Sequence, residues 1–178
     1  MHVDESAIIR QTLDGNTNAF RQLVELHQHR LYRFVCNIVA DRHTAEEIAQ
    51  DSFLKAYEKL STFDSTRASF QTWLFRIARN RSLNALCKRK PVTTEENDIP
   101  FESAPDERLE RAEWKRQFDV ALDQLKPEQK TVFVLAEIEE MPLREIAIIE
   151  DVPLGTVKSR LSRAKNSLRQ SLTFNPID

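Results

Sequence analysis

The residues with the clearest chemistry lie near the C-terminus, in a basic segment over residues 154–172. This segment contains five Lys and Arg residues and no Asp or Glu. At helical spacing, Lys158, Ser159, Ser162 and Arg163 share one face, opposite an apolar stripe. Arg and Lys can bond guanine O6 and N7, and Ser can bond a base or a phosphate. The spacing predicts a helix that reads the major groove of DNA, with a solvated basic face as the alternative.

Two residues at the start of this helix, Gly155 and Thr156, suit a phosphate contact. Free backbone amides at a helix N-terminus point towards anions, and the Thr hydroxyl adds a donor. A short helix is predicted before it over 143–149, followed by a tight turn at 150–152 in which Asp151 tolerates the left-handed conformation. Two helices joined by a short turn, the second of them basic, indicate a helix-turn-helix.

A second basic stretch, residues 65–90, contains seven Lys and Arg residues and no acid. Within it, Trp73, Arg76, Asn80 and Asn84 fall on one face of a predicted helix. An aromatic ring beside a guanidinium and two amides can stack on an unpaired base and hydrogen-bond it. Spacing alone favours a core position for Trp73, so both interpretations stay open.

The predicted helix before this one carries an acidic face. Thr44 and Glu47 match a capping box, which predicts that the helix opens at Thr44. Glu46, Glu47, Gln50 and Asp51 then lie away from its apolar side. Such a face can bind a basic partner, or it can simply be solvated.

The composition predicts which elements position these residues. The chain has 178 residues, of which 40% are hydrophobic and only 2 are glycine. Tight hairpins and phosphate-cradling loops depend on residues that adopt positive φ, so this scarcity excludes a glycine-rich nucleotide loop and argues against an all-β fold. We therefore expect an all-α protein.

The same sequence argues against several classes of site. Cys36 and Cys87 match no metal-ligand spacing, and no Ser/His/Asp or Cys/His set is evident. We expect no metal, no cofactor and no enzymatic activity. The N-terminal residues do not resemble a signal peptide, and the longest apolar run, 132–136, is far too short to cross a membrane. We therefore expect a cytoplasmic protein that is not inserted in a membrane.

Charge and periodicity divide the chain into two small helical domains. Residues 1–90 carry a net charge of +4 and contain four predicted helices, which would form one bundle. Residues 91–105 contain prolines and acids with little periodicity, which predicts a flexible acidic linker. Helical spacing resumes over 106–178, where Pro127 fits the first turn of a helix and the helix-turn-helix follows.

Two of these segments resemble a known family. The sequences at 44–57 (TAEEIAQDSFLKAY) and 70–80 (FQTWLFRIARN) resemble region 2 of the sigma-70 family of bacterial RNA polymerase. The sequence at 154–165 (LGTVKSRLSRAK) resembles the DNA-reading helix of region 4. The short linker is similar to that of the extracytoplasmic-function, or group IV, sigma factors. Both motifs occur in the family's order, and together with the linker they extend the resemblance over nearly the whole chain.

The resemblance implies a transcription initiation factor that binds core RNA polymerase and promoter DNA. It implies that Glu46, Glu47, Gln50 and Asp51 dock on the β′ coiled coil of the polymerase. It implies that the loop 61–68, with Phe63 and Arg67, reads the −10 element together with the helix that follows and captures a flipped base. Region 4 would read the −35 element and meet the β flap, and an anti-sigma factor controls many members.

Two features depart from the family pattern. Ser162 stands where many relatives have a larger residue facing the bases, so the preferred −35 sequence is expected to differ. The turn contains Glu150 and Asp151, where Leu and Gly are common.

Two other function classes remain as alternatives, namely a helix-turn-helix regulator that does not join polymerase and a helical nucleic-acid enzyme.

Overall fold

A computed structural model describes residues 4–88 and 105–173 of the chain. Both ranges are helical, without a strand, so the all-α prediction is confirmed for the described residues. The helices of the first range are α1 (Glu5–Leu13), α2 (Thr17–Val39), α3 (Arg42–Glu58) and α4 (Phe70–Lys88), with a 3₁₀ turn at Leu60–Thr62. Those of the second range are α5 (Pro105–Asp123), α6 (Pro127–Phe133), α7 (Leu143–Glu150) and α8 (Leu154–Thr173). The predicted linker, residues 91–105, lies outside the described residues except for Pro105, which begins α5.

The first four helices form one bundle around α2. This helix is 23 residues long, and its apolar positions recur every three or four residues. Leu23, Leu31, Phe34 and Val35 are fully buried as a result. Helices α1, α3 and α4 all pack against α2, so it forms the centre of the domain.

The helix starts have identifiable caps. The predicted capping box at Thr44 is wrong, because α3 already begins at Arg42. The side chain of Asp41 caps it instead, accepting a hydrogen bond of 2.8 Å from the Thr44 amide. At the start of α4, the Ser69 hydroxyl accepts a hydrogen bond of 3.1 Å from the amide of Thr72.

In the second group of helices, α8 packs against α5, α6 and α7. Pro127 stands in the first turn of α6, as predicted from its fixed φ and missing amide hydrogen. Helix α6 then continues into a π turn, Val134–Ile138, where the Glu139 amide donates to the Val134 carbonyl at 2.9 Å. An i→i−5 bond of this kind adds one residue to the turn and changes the direction of the side chains that follow.

The two groups of helices pack directly against each other. Helix α4 lies on α7, and α2 contacts the π turn and α6. Lys130 is buried at this junction, where its ammonium donates to the Ile38 carbonyl at 2.9 Å and to Asp123 at 2.6 Å. The buried cation is therefore paired with groups from both halves of the protein.

Candidate nucleic-acid and polymerase interfaces

Helices α7 and α8 form the predicted helix-turn-helix. Asp151 ends α7 in the left-handed conformation, with φ of 56°, which Asp tolerates better than most residues. The Val152 amide donates to the Ala147 carbonyl at 3.1 Å and closes the turn, and α8 begins directly after Pro153. The unusual Glu150–Asp151 turn therefore supports the motif that its sequence predicts.

The four predicted readout residues lie on the solvent side of α8. Lys158, Ser159, Ser162 and Arg163 are all exposed, whereas the opposite side of the helix packs into the domain. The buried residues on that side are Val157, Ala164 and Leu168. The helix thus presents a continuous polar and basic face of the kind that fits a major groove.

One detail of the proposed phosphate contact is wrong. The amide of Thr156 is not free, because it donates to the Pro153 carbonyl at 2.9 Å. Gly155 is exposed at the start of α8. The hydroxyl of the half-buried Thr156 and the positive end of the α8 dipole remain as anion-binding features at this position.

Trp73 occupies a position between core and surface. It is half-buried, and its ring lies 5.3 Å from Phe63 and 5.9 Å from Phe70, measured between centroids. Trp73 also lines a groove with Thr62, Arg67 and Arg76. The two interpretations of Trp73 are therefore compatible, since one part of the ring packs on the core while another faces the groove.

Of the other predicted −10 residues, Arg67 and Arg76 line this groove, whereas Asn80 and Asn84 lie further along α4 and are not part of its lining. Arg67, Asn80 and Asn84 are exposed, and Arg76 is half-buried. The structure brings Arg76 to the second domain, where it lies 3.4 Å from a carboxylate oxygen of Asp151. The groove beside Trp73 is closed on its far side by α7 and the following turn, through Ile148, Val152 and Pro153.

The acidic face of α3 is open to solvent. Glu46, Glu47, Gln50 and Asp51 are all exposed along one side of the helix. Asp51 accepts a hydrogen bond of 2.7 Å from Arg81 of α4, so it is held by its own domain. Glu47 lies 3.4 Å from His43, one turn earlier.

Sequence reasoning missed an apolar part of this surface. Leu54 and Tyr57 are exposed by 58% and 39%, and both follow Gln50 and Asp51 at helical spacing on α3. The apolar spacing places Tyr57 on the core side, and its ring packs at a steep angle against Phe20, with 5.1 Å between the ring centroids. Leu54 lies off the buried side of α3, and an apolar residue at such a position was the available signal. Leu54 and Tyr57 therefore add exposed apolar area to the acidic face of α3.

Arg79 was also missed. Its guanidinium is only 18% exposed and forms two hydrogen bonds with Glu150 of α7, at 2.8 and 3.1 Å. No local pattern could have identified this pair, because its members are 71 residues apart.

Within the described ranges no helix is long and apolar enough to span a membrane.

Comparisons with known proteins agree with this geometry. The family model for Sigma-70 region 2 matches residues 23–91, and the model for Sigma-70, region 4, matches residues 115–168. The ECF RNA polymerase sigma factor SigW of Bacillus subtilis is 30% identical over 177 residues, covering 92% of this chain and 94% of SigW. The RNA polymerase sigma-H factor of Pseudomonas aeruginosa is 30% identical over 182 residues, covering 94% of this chain and 93% of that factor.

Two solved structures have a similar arrangement of helices. CnrH, in complex with the cytosolic domain of CnrY, superposes with a TM-score of 0.73 at 26% identity, covering 96% of this chain and 97% of CnrH. RpoE of Bartonella quintana, in complex with the anti-sigma factor NepR, also gives a TM-score of 0.73, at 25% identity, over 88% of this chain and 98% of RpoE. The two family models match in the order of the two helical groups, and a full-length relative reaches 30% identity. The chain therefore belongs to the sigma-70 family, among its extracytoplasmic-function (ECF) sigma factors.

Proposed function

We propose that this protein binds core RNA polymerase and directs it to promoters by contacting the −10 and −35 elements, without catalysing a reaction of its own. The observation that carries the proposal is the presence, in one chain, of an exposed basic face on α8 and an exposed acidic and apolar face on α3. A regulator that binds only DNA has no need of the second face. The two match the two partners of an initiation factor, DNA and polymerase.

The face of α3 is the proposed docking surface for core polymerase. Carboxylates of Glu46, Glu47 and Asp51 suit a basic partner, and the exposed Leu54 adds apolar contact area. A basic coiled coil such as that of the β′ subunit has the complementary charge. Because Asp51 is oriented by Arg81, its carboxylate loses little further freedom on binding.

The two domains divide the promoter between them. Residues of α8, with Lys158 and Arg163 on the exposed face, would read the −35 element as a duplex. The groove beside Trp73, which Arg67 and Arg76 also line, would hold an unpaired base of the −10 element. Asn80 and Asn84 are exposed further along α4. A chain with both surfaces can select a promoter and stabilise its open form.

We further propose control by an anti-sigma factor and a cytoplasmic location. CnrH and RpoE, which share the arrangement of helices, were each solved in complex with a partner protein. The partner of RpoE is the anti-sigma factor NepR. An anti-sigma factor that contacts both domains would keep the chain from polymerase. The proposed cytoplasmic location follows from the partner, because a protein that binds RNA polymerase must be in the same compartment as the polymerase.

Transcription reconstituted from purified components tests the proposal. Core polymerase with this chain should initiate at a single position on a promoter that core polymerase alone, or this chain alone, does not use. A charge-reversed variant, Asp51→Lys, serves as the matched negative control. Sequence-specific DNA binding without any transcription by active core polymerase would favour the regulator, and the proposal would then be wrong.

A further inference from the structure

The side-chain amide of Asn80 is oriented by the residue that precedes it on α4. The Nη1 atom of Arg79 donates to Oδ1 of Asn80 at 3.0 Å. A guanidinium group has only donors, so the atom that it meets must be the oxygen of the amide and not the nitrogen. The Nδ2 amino group is the other branch of the same planar amide and is directed away from Arg79. Asn80 is exposed, so this amino group is the part of the side chain offered to a ligand.

Arg79 is a fixed donor because its own side chain is held in place. Its Nε and Nη2 atoms donate to the buried carboxylate of Glu150 at 2.8 and 3.1 Å, and its side chain is only 18% exposed. A residue whose own rotamer is locked in this way holds its neighbour more precisely than a mobile side chain would. The bond to Asn80 lies within α4, so it can form whether or not the second domain contacts this helix.

Asn80 follows the groove residues Trp73 and Arg76 on one face of α4. It lies seven residues after Trp73, which corresponds to about 10 Å along the helix axis. An unpaired strand that enters the groove and continues along α4 therefore passes Asn80. Trp73 offers a ring face on which any base can stack, whereas Asn80 offers a hydrogen-bonding group that can distinguish one base from another.

The orientation of the amide limits the bases that Asn80 can recognise. An Asn side chain that rotates freely bonds adenine twice, because its oxygen accepts from N6 while its nitrogen donates to N7. With Oδ1 already bonded to Arg79, only the donor remains. A single N–H donor is well matched by a carbonyl oxygen, which thymine, cytosine and guanine carry and adenine lacks. With adenine, the donor meets only a ring nitrogen and the bond from N6 has no acceptor.

We propose that Arg79 is a positioning residue that makes Asn80 a hydrogen-bond donor only, and that the pair disfavours adenine at the unpaired −10 position that meets Asn80. The inference rests on the proposed function, since it takes α4 as the site of the opened −10 strand. Arg79 acts through Asn80 and does not contact the base. A purely structural role of Arg79, as the partner of Glu150, would leave the base preference unchanged.

Selection from a pool of random-sequence single-stranded DNA tests this role. The full-length chain bound to core polymerase captures strands, and sequencing gives the preferred base at each position. Asn80→Ala identifies the position that meets Asn80, because its preference is lost there. Arg79→Met removes the donor and keeps a long unbranched side chain. The matched control is Arg21→Met, which removes the same charge at an 81% exposed position of α2.

We expect Arg79→Met to raise the proportion of adenine at the Asn80 position at least about fivefold, because Asn80 regains its acceptor. The other positions, and every position with Arg21→Met, should match the unmodified protein. Arg79→Met combined with Asn80→Ala should give the profile of Asn80→Ala alone, since the first residue acts through the second. The proposal would be overturned by an unchanged proportion of adenine, by an equal change at all positions, or by a selection in which Asn80→Ala alters no position.

Two further comparisons keep the test decisive. If circular dichroism shows that Arg79→Met is unfolded, Arg79→Met combined with Glu150→Gln replaces it under the same criteria, because no buried carboxylate is then left without this cation. Sequence selection by the unmodified chain, with the same preferences in Arg79→Met, refutes the positioning role alone. The absence of both sequence selection and transcription refutes the proposed function, and the positioning role with it.

Discussion

The carboxylate of Glu150 and the guanidinium of Arg79 form a two-point ion pair across the boundary of the two domains, with hydrogen bonds of 2.8 and 3.1 Å. Both side chains are largely or fully buried, and Arg160 contacts the same carboxylate. Paired geometry of this kind is specific as well as strong, because a planar fork meets a planar carboxylate. It fixes the rotation of α7 relative to α4.

Removing this carboxylate should weaken the fold. In Glu150→Ala, two arginines lose their buried partner, and we expect the free energy of unfolding to fall by about 3–5 kcal/mol. Urea denaturation followed by circular dichroism measures the change. Glu128→Ala, at an exposed position, is the control and should cost less than about 0.5 kcal/mol. Equal costs for the two variants would contradict the role of the Glu150 pair.

Reversing the charge of Asp51 should weaken binding to core polymerase and leave the protein folded. The Asp51–Arg81 pair is exposed and contributes no more than about 1 kcal/mol to stability. Asp51→Lys should therefore melt near the unmodified protein, while its affinity for core polymerase falls at least about tenfold. Titration of labelled polymerase measures the affinity. Glu25→Lys makes the same charge reversal on α2 and serves as the control. Unchanged binding by Asp51→Lys would place the docking surface elsewhere.

A substitution on α4 near Trp73 should affect promoter opening more than promoter binding. Asn80 is exposed, so Asn80→Ala should reduce the fraction of open complexes more than the initial binding of duplex DNA. Permanganate footprinting of unpaired thymines measures the former, and a gel-shift assay measures the latter. Equal losses in both assays would contradict a role in base capture.

Trp73→Ala should affect both folding and function. Its contacts with Phe63 and Phe70 predict a loss of about 2–4 kcal/mol in stability, somewhat below that of a fully buried Trp. Trp73→Phe retains an aromatic face and is expected to restore most of the stability. If that variant also restores open complexes, base stacking rather than indole-specific contact explains the function.

Substitutions on the exposed face of α8 should distinguish a residue that reads bases from one that only positions the helix on the DNA. Arg163→Ala should cost about 1–3 kcal/mol of binding and relax the preference at one or two base pairs of the −35 element. Arg169→Ala, nearer the helix end, should weaken binding to all sequences alike and reduce the salt slope by about one unit at most. Ser162→Arg should shift the preferred −35 sequence. A promoter library scored with each variant measures these preferences, and identical profiles for Arg163→Ala and the unmodified protein would make Arg163 a positioning residue.

The stability should depend on pH through His27. This ring is buried beside Phe70, and burial lowers the pKa of His27 below 6.5, although Glu5 at 3.2 Å partly opposes the shift. The unfolded chain binds this proton more readily than the folded protein does. The contribution of His27 to the free energy of unfolding is therefore fully present above about pH 6.5 and is lost as the pH falls through the lowered pKa. Urea denaturation across this range should show a smaller decline for His27→Phe. Identical pH profiles would exclude His27 as the cause.

The local elements could be predicted because their signals are local. The buried stripe of α8, the proline in the first turn of α6 and the left-handed Asp151 each depend on a few neighbouring residues. The contact between the domains could not be predicted, since Arg30 and Glu139 are 109 residues apart and each is an ordinary charged residue in its own segment. The contacts between α4 and α7 are also distant in sequence, since Arg79 and Glu150 are 71 residues apart. The wall that α7 contributes to the groove beside Trp73 therefore leaves no signal in either segment.

The π turn at Val134–Ile138 has a consequence for the evolution of chain length. Deleting one residue there would restore α-helical spacing and rotate Glu139 by about 100° around the helix axis, away from Arg30 and Arg33. A relative with a single-residue gap at this turn would then have lost the acidic contact without any substitution of Glu139. In alignments of ECF sigma factors, such gaps should coincide with the replacement of Arg30 and Arg33, because two arginines without their carboxylate no longer have a shared partner to preserve.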